Sequence, residues 1–245
     1  MKDIEKLAAL YQNDYFEDRS GNDVKRKESF ESERPFIEKF TSFDWIVLDV
    51  GCSTGEFLTH IGWSCKKYGI EISEFAAEQA RISGIDIVSS YNIENSLDAV
   101  IYRGTIQHLD SPFRSLEKAV KTLKPGGKVF FIATPNISSI YYRMFRTLPA
   151  LDSKRNFYLP SDDSIKSLAM VFGLDFVSVE YPYLYSPYSS PVADHIKFLC
   201  KGALLPFGSL GEKIEFSFHR SMMNMVLTKK WVWFLKFGFG VNYDS

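Results

Sequence analysis

Residues 45–55, WIVLDVGCSTG, open with a run from Trp45 to Leu48 that is apolar and rich in β-branched side chains. Such a run reads as a strand buried on both faces, the kind found in parallel sheets. Asp49 arrives where the strand ends, and Gly51, Cys52, Ser53, Thr54 and Gly55 then form a turn of small residues. Phe57, Leu58 and Ile61 follow at helical spacing. The unit is therefore strand, tight glycine turn, helix. In an open α/β sheet such a turn lies at the carboxyl end of the strand, where ligands bind. Its glycines let the backbone approach a ligand that a Cβ would hold off.

Lys66–Ile72 (KKYGIEI) is the second strand. It carries Glu71, twenty positions after Gly51. An acid so placed can accept hydrogen bonds from ribose hydroxyls. Ser73 reads as the N-cap of a helix through Ala80, stopped by Gly84. Ile85–Val88 and Leu97–Tyr102 are the third and fourth strands, with a polar turn at Asn92–Ser96 between them. RGTIQHLDSP should sit at the same carboxyl edge as the glycine turn. Ser111-Pro112 starts a helix to about Leu123, Lys124-Pro125-Gly126-Gly127 is a turn, and Lys128–Ala133 is the fifth strand, ended by Thr134-Pro135-Asn136. Strand–helix alternation of this kind predicts a doubly wound sheet.

The flanks differ in character. Residues 1–42 keep a helical period, hold an aromatic cluster at Tyr11, Tyr15 and Phe16, and read as helical segments packed on the sheet. After Ile137 come aromatics mixed with Arg143, Arg146, Lys154 and Arg155, a helix capped by Ser161 or Asp162, and a strand at Leu174–Glu180. A Pro/Ser/Tyr loop at 182–191 and an apolar stretch at 196–208 follow. Met222–Thr228 is the last strand, and the tail after it is aromatic. The expected organisation is one domain over 1–245. An N-terminal helical lid spans 1–42, a cofactor-binding core 43–136, a substrate cap inserted at 137–220, and the last strand and aromatic tail 221–245.

Composition narrows the classes. The 245 residues are 45% apolar and 24% charged, ordinary globular usage. Lysine and arginine number 29 against 30 acids, which argues against a nucleic-acid binder. Cys52, Cys65 and Cys200 are odd in number and lack CxxC spacing, so neither a disulfide framework nor a zinc site is expected. A reducing, cytoplasmic setting follows. The N-terminus does not read as a signal peptide, and no run is long enough to span a membrane. The apolar stretches at 192–208 and 231–240 offer a peripheral membrane contact as one reading and burial as the other.

VLDVGCSTGEF resembles the first motif of class I S-adenosylmethionine-dependent methyltransferases. YGIEIS, LDAVIYRGTIQHLDSP and LKPGGKVFFIATPN are similar to the segments that follow it, in order, across residues 45–136. The wording is most similar to the methyltransferase type 23 branch, which includes ubiquinone-biosynthesis O-methyltransferases. The resemblance implies a Rossmann-like, mostly parallel seven-stranded sheet with S-adenosyl-L-methionine as cofactor. No metal is expected, since no His/Asp/Glu cluster has ligand spacing. It implies that Asp49, Gly51, Cys52, Ser53 and Gly55 surround the methionine end of the cofactor. Glu71 would hold the ribose and Ile72 would lie beside the adenine. Asn92, with Tyr91 and Ile93 as alternatives, would approach the adenine amine. Ser53 replaces the usual middle glycine.

The expected reaction is O-methylation of a small molecule such as a sugar or lipid-linked precursor. Positioning can supply about 7–11 kcal/mol of such a barrier, and a hydroxyl acceptor benefits from a base. His108, after the fourth strand, is the first candidate base and His195 in the cap is the second. Arg143, Arg146 and Arg155 could bind an acceptor phosphate or carboxylate. Two rivals remain. One is a non-catalytic S-adenosylmethionine-binding relative. The other is a serine hydrolase using Ser53, because GCSTG also fits G-x-S-x-G.

Overall fold

The structure is a computed structural model, and it describes residues 23–62, 65–91, 96–148, 150–152, 155–182, 192–193, 196 and 220–231. Its strands are β1 (Ile46–Val50), β2 (Lys66–Ile70), β3 (Asp86–Ile87), β4 (Leu97–Arg103), β5 (Leu123–Pro135), β6 (Leu174–Glu180) and β7 (Met222–Lys229). The helices described here are α1 (Asp23–Glu38), α2 (Glu56–His60), α3 (Glu74–Ile82), α4 (Pro112–Thr122), α5 (Ile140–Phe145) and α6 (Asp162–Val171). The seven strands form one sheet in the order β3-β2-β1-β4-β5-β7-β6. β1 to β5 pair in parallel, and β7 runs antiparallel to both of its neighbours. This is the expected Rossmann-like methyltransferase fold.

Both faces of the sheet are covered, which is why its central strands are almost unbroken apolar runs. On one face Phe30, Phe36 and Ile37 of α1, with Phe57 and Leu58 of α2, pack on Val47, Ala99, Ile101 and Phe130. On the other, Leu116 and Ala119 of α4 and Ile165 and Ala169 of α6 pack on Leu48, Val100, Val129 and Met225. Each fully buried side chain of this size is worth about 1.5–3 kcal/mol.

The caps follow the residues. Ser73 Oγ accepts from the Ala76 N–H. At α6 the cap is Ser161, and its capping box with Ser164 satisfies two helix-end groups reciprocally. Gly84 and Gly173 take left-handed φ values of 82° and 70° where α3 and α6 end.

One expectation is corrected. Lys124-Pro125-Gly126-Gly127 is not a turn ahead of the fifth strand but lies inside the 13-residue β5. Leu123 faces Leu97 and Lys128 faces Ala99, so the four residues bulge out of the ladder. Local propensity correctly demands a left-handed residue, and Gly126 has φ 79°. It does not report that the flanking residues still pair with β4. A second irregularity follows at Ala133, φ 48°, where the β5–β7 register shifts. There the Asn224 side-chain oxygen accepts from the Ala133 N–H at 2.9 Å.

The Asn92 and His195 expectations and the Tyr11–Phe16 cluster lie outside the described residues, as do most of the 192–208 and 231–240 stretches. Val192, Ile196 and Trp231, which are described, are exposed. No helix among the described residues is long and apolar enough to cross a membrane.

Candidate active site

The chain leaves β1 to build β2 and β3 on one side, then returns to place β4 on the other. The sheet order therefore reverses between β1 and β4, and a crevice opens at their carboxyl ends. The glycine turn after β1 and the Gly104–His108 segment after β4 line it. Their closeness is measurable, since a Cβ on Gly51 would stand 2.6 Å from Thr105 Cγ2. Gly51 also has φ 76°, so alanine there would be strained as well as crowded.

The turn is held from β2. Gly51 and Cys52 donate their N–H groups to the Ile70 carbonyl at 2.7 and 3.2 Å, and Gly55 donates to the Cys52 carbonyl at 3.0 Å. The Glu71 carboxylate accepts from the backbone N–H groups of Ser53 (2.9 Å), Ile72 (2.8 Å) and Ser73 (2.9 Å). An ionised carboxylate has about four acceptor sites. Three are taken, and the remaining one is on Oε2, the oxygen that meets Ser53. Ser53 takes φ 54°, the left-handed conformation a glycine would adopt freely. The chain thus keeps the turn despite the substitution. Ser53 Oγ has no hydrogen-bond partner among the described residues, so none of these serves it as the base a hydrolase would need.

Cys52 turns away from the crevice. Its side chain is buried in the core against β2, where a Cβ on Gly69 would lie 2.4 Å from Sγ. Burial, then the charges of Asp49 and Glu71, push the thiol up. Only the backbone of Cys52 is left to meet a ligand. Ile72 is exposed at the rim beyond β2. The Tyr91 hydroxyl is committed to Ser115 Oγ at 2.5 Å, between β3 and α4.

Asp49 is the electrostatic centre. It is buried, and its Oδ1 has no hydrogen-bond partner among the described residues. Burial raises its carboxyl to about 7, against an opposing pull from Arg103 and a further push from Glu71. Arg103, at the end of β4, lies on the same sheet face, because Ile101 pairs with Asp49 and alternate residues share a face. The Arg103 guanidinium is bidentate on Glu33 of α1, with Nε to Oε2 at 2.6 Å and Nη2 to Oε1 at 3.0 Å. It also donates to Ser29 Oγ at 3.2 Å and stacks over Phe30 and Phe57. This group was not singled out by sequence reasoning. The available signal was a lone cation closing the strand directly after the run Ala99–Tyr102.

His108 ends a short 3-10 turn, Ile106–His108, and is half-buried. Its Nδ1 lies 3.0 Å from the Arg155 carbonyl, which can only accept, so Nδ1 carries the proton. Nε2 is then the basic nitrogen, and Gln107 Nε2 lies 3.3 Å from it. The Arg155 guanidinium is ion-paired with Asp152 at 2.9 Å. Beyond β5, Asp162 is fully buried and accepts from Tyr181 OH at 2.7 Å and Arg220 at 2.8 Å. Burial raises this carboxyl, but Tyr181 and Arg220 outweigh it and the net shift is downward. Among the described residues no group of three His, Cys, Asp or Glu is set to hold a metal ion.

A family model described as a methyltransferase domain matches residues 15–179. The chain is 30% identical over 112 residues to a ubiquinone biosynthesis O-methyltransferase of Hydrogenovibrio crunogenus. That match spans 39% of this chain and 46% of the relative, less than half of that protein's length. Among solved structures, the fold is similar to an S-adenosylmethionine-dependent methyltransferase of Thermotoga maritima. The TM-score is 0.61 at 18% identity, over 93% of this chain and all of that one. It is also similar to phosphoethanolamine N-methyltransferase 2 of Haemonchus contortus, solved with S-adenosyl-L-methionine. There the TM-score is 0.54 at 18% identity, over 82% of this chain and 53% of that one. At these identities the structural likenesses speak for the fold alone.

Proposed function

The chain belongs to the methyltransferase-domain family, and from that membership we propose that it transfers a methyl group from S-adenosylmethionine to an oxygen of a small acceptor. The observation that carries this reading is the crevice between β1 and β4. It combines a buried carboxylate with an unpartnered oxygen, Asp49, a glycine turn that a Cβ would fill, and Glu71 with one acceptor site to spare.

The residues fit the cofactor's chemistry. Asp49 would accept from its ammonium, directly or through a water. Glu71 would accept from a ribose hydroxyl while bracing the turn through Ser53. The backbone of Gly51, Cys52 and Gly55 would lie against the methionine portion, and Ile72 would offer an apolar surface to the base. When bound, S-adenosylmethionine supplies a methyl on a sulfonium, already activated for in-line displacement. What remains for the protein is to orient the acceptor and remove its proton.

His108 is the proposed base. Its tautomer is fixed by the Arg155 carbonyl, so Nε2 can take a proton from a hydroxyl. An amine acceptor has less need of such a base, and this favours oxygen, as does the O-methyltransferase relative. A sugar or a lipid-linked precursor is the acceptor class proposed.

Calorimetric titration with S-adenosylhomocysteine tests the cofactor assignment. One molecule should bind per chain. Glu71→Ala should weaken binding about tenfold, the worth of one hydrogen bond to a charged group. A folded protein that gives no heat overturns the reading. Once an acceptor is found, His108→Ala should lower kcat about 100-fold, the lower end for a general base, and remove the acid limb of the pH–rate profile. An unchanged profile would mean that His108 only shapes the loop.

A further inference from the structure

The carboxyl end of β5 carries buried polar groups that the fold leaves unmet. Asn136 follows the strand and is fully enclosed. Its N–H donates to the Ser221 carbonyl at 2.9 Å, which extends the β5–β7 ladder one pair beyond Pro135 and Met222. Residues directly opposite in an antiparallel pair project from the same face, about 5 Å apart. The Asn136 amide and the Ser221 hydroxyl are therefore neighbours, and Ser221 is buried as well.

The Asn136 amide can face only one way. Its Oδ1 accepts from the Ser138 and Asp162 N–H groups at 3.1 and 3.2 Å. A backbone N–H can only donate, so Nδ2 points away from both. Among the described residues neither Asn136 Nδ2 nor Ser221 Oγ has a hydrogen-bond partner. A buried group left unmet costs about 1–3 kcal/mol, a cost that a bound ligand would remove. Arg220, next to Ser221, holds φ 70°, in the left-handed region unfavourable to a side chain. Backbone strain of this kind gathers at ligand sites.

Gln107 supplies the complement. It is buried just ahead of His108, and its Nε2 donates to the Gly104 carbonyl at 2.9 Å. That carbonyl can only accept, so Oε1 is the other end of the amide. Oε1 has no hydrogen-bond partner among the described residues. Residues 157–160 tie Gln107 to the end of β5. Phe157 and Tyr158 donate their N–H groups to the Gln107 carbonyl at 2.9 and 3.2 Å, and the Pro160 carbonyl accepts from the Ile137 N–H at 3.0 Å. Four residues reach at most about 14 Å, so one small molecule can span the two places.

We propose that Asn136, Ser221 and Gln107 form the acceptor subsite, and that they select a neutral polyhydroxyl compound, a sugar. This deepens the proposed O-methylation and rests on it. A hydroxyl both donates and accepts, so a sugar meets Asn136 Nδ2 and Gln107 Oε1 with the same kind of group. A carboxylate has no proton to give and would leave Gln107 Oε1 unmet. An ammonium accepts nothing and would leave Asn136 Nδ2 unmet. With some hydroxyls held here, another is presented to His108 for methylation.

The experiment measures transfer of labelled methyl from S-adenosylmethionine to free hexoses, deoxyhexoses and N-acetylhexosamines, with S-adenosylhomocysteine binding followed in parallel. At least one sugar should be methylated. For the best of them, Ser221→Ala and Asn136→Asp should each raise KM about five- to tenfold, the worth of one hydrogen bond, with kcat little changed. Asn136→Asp keeps the oxygen that serves Ser138 and Asp162 and loses only the donor. Ser221→Ala breaks no side-chain hydrogen bond among the described residues, so Tm should not fall. The parent should discriminate against one deoxy analogue of that sugar, and Ser221→Ala should not. A merely structural serine would move Tm and leave this discrimination intact. Unchanged KM in both variants overturns the subsite. So does failure to methylate any sugar by a protein that binds S-adenosylhomocysteine, a result that leaves the cofactor reading standing. A protein that binds no S-adenosylhomocysteine overturns both.

Discussion

Asp49→Asn will make the protein more stable and nearly unable to hold its cofactor. The two effects share one cause. The carboxyl is buried with an unpartnered oxygen, and burial raises it to about 7, against about 3.9 in an unfolded chain. The native state therefore binds the proton more tightly than the unfolded state. Below about pH 4 both are protonated and Asp49 costs nothing. Between pH 4 and 7 the unfolded chain ionises while the fold resists, and stability falls. Above pH 7 the penalty is complete, of order 3–4 kcal/mol. Asparagine has no such ionisation. Urea unfolding of the apo protein should show a gain of about 3 kcal/mol at pH 8 and almost none at pH 4. The same variant should bind S-adenosylhomocysteine about 100-fold more weakly, because a charged acceptor for the ammonium is gone. In the parent, affinity should rise with pH through about 7 and level off. In the variant it should be flat. Equal loss of stability at both pH values would refute this account of Asp49.

Glu33→Ala will cost about 3–5 kcal/mol, the usual range when one partner of a buried ion pair is removed. Glu33 is almost fully enclosed, and Arg103 is only 17% exposed. The guanidinium would keep its stacking on Phe30 and Phe57 but lose both carboxylate contacts. For a chain of this size the loss corresponds to a fall in Tm of about 6–20 °C. A second consequence separates this from simple loosening of α1. Freed of Glu33, the Arg103 charge acts more strongly on Asp49 and should move the pH midpoint of cofactor binding below that of the parent. Leu substitution at Phe36, on the same helix, should reduce stability and leave the midpoint where it is.

The cofactor side of this molecule was legible because its signals are local. The apolar run before Asp49, the glycine turn and Glu71 twenty positions on are fixed by a single strand–turn–helix unit and its neighbour. Ser73 and Ser161 cap helices where their spacing said they would. The misreadings came from partners distant in sequence. No local signal tells that the Cys52 side chain is drawn into the core, where β2 places Gly69 against it, so that its backbone is what is left to the site. The Gly126 stretch reads in sequence as a turn ahead of the fifth strand, because the pairing of Leu123 with β4 shows only across the sheet. Arg103 and Glu33 lie 70 residues apart, and no period or motif connects them.

The position of β7 sets the order in which this protein can be made. It is the last strand among the described residues, yet it lies between β5 and β6 and pairs with both. While the ribosome is still adding residues before Met222, β5 has no neighbour on that side and β6 has nothing to join. The nascent chain must carry an open edge of Val129, Phe130 and Phe131 until Met222–Lys229 has emerged. Such edges recruit other strands. Loss of Met222–Lys229 would therefore not trim the molecule but leave its sheet unfinished in the middle. A premature stop before Met222 should yield inclusion bodies or rapid proteolysis rather than a smaller soluble domain.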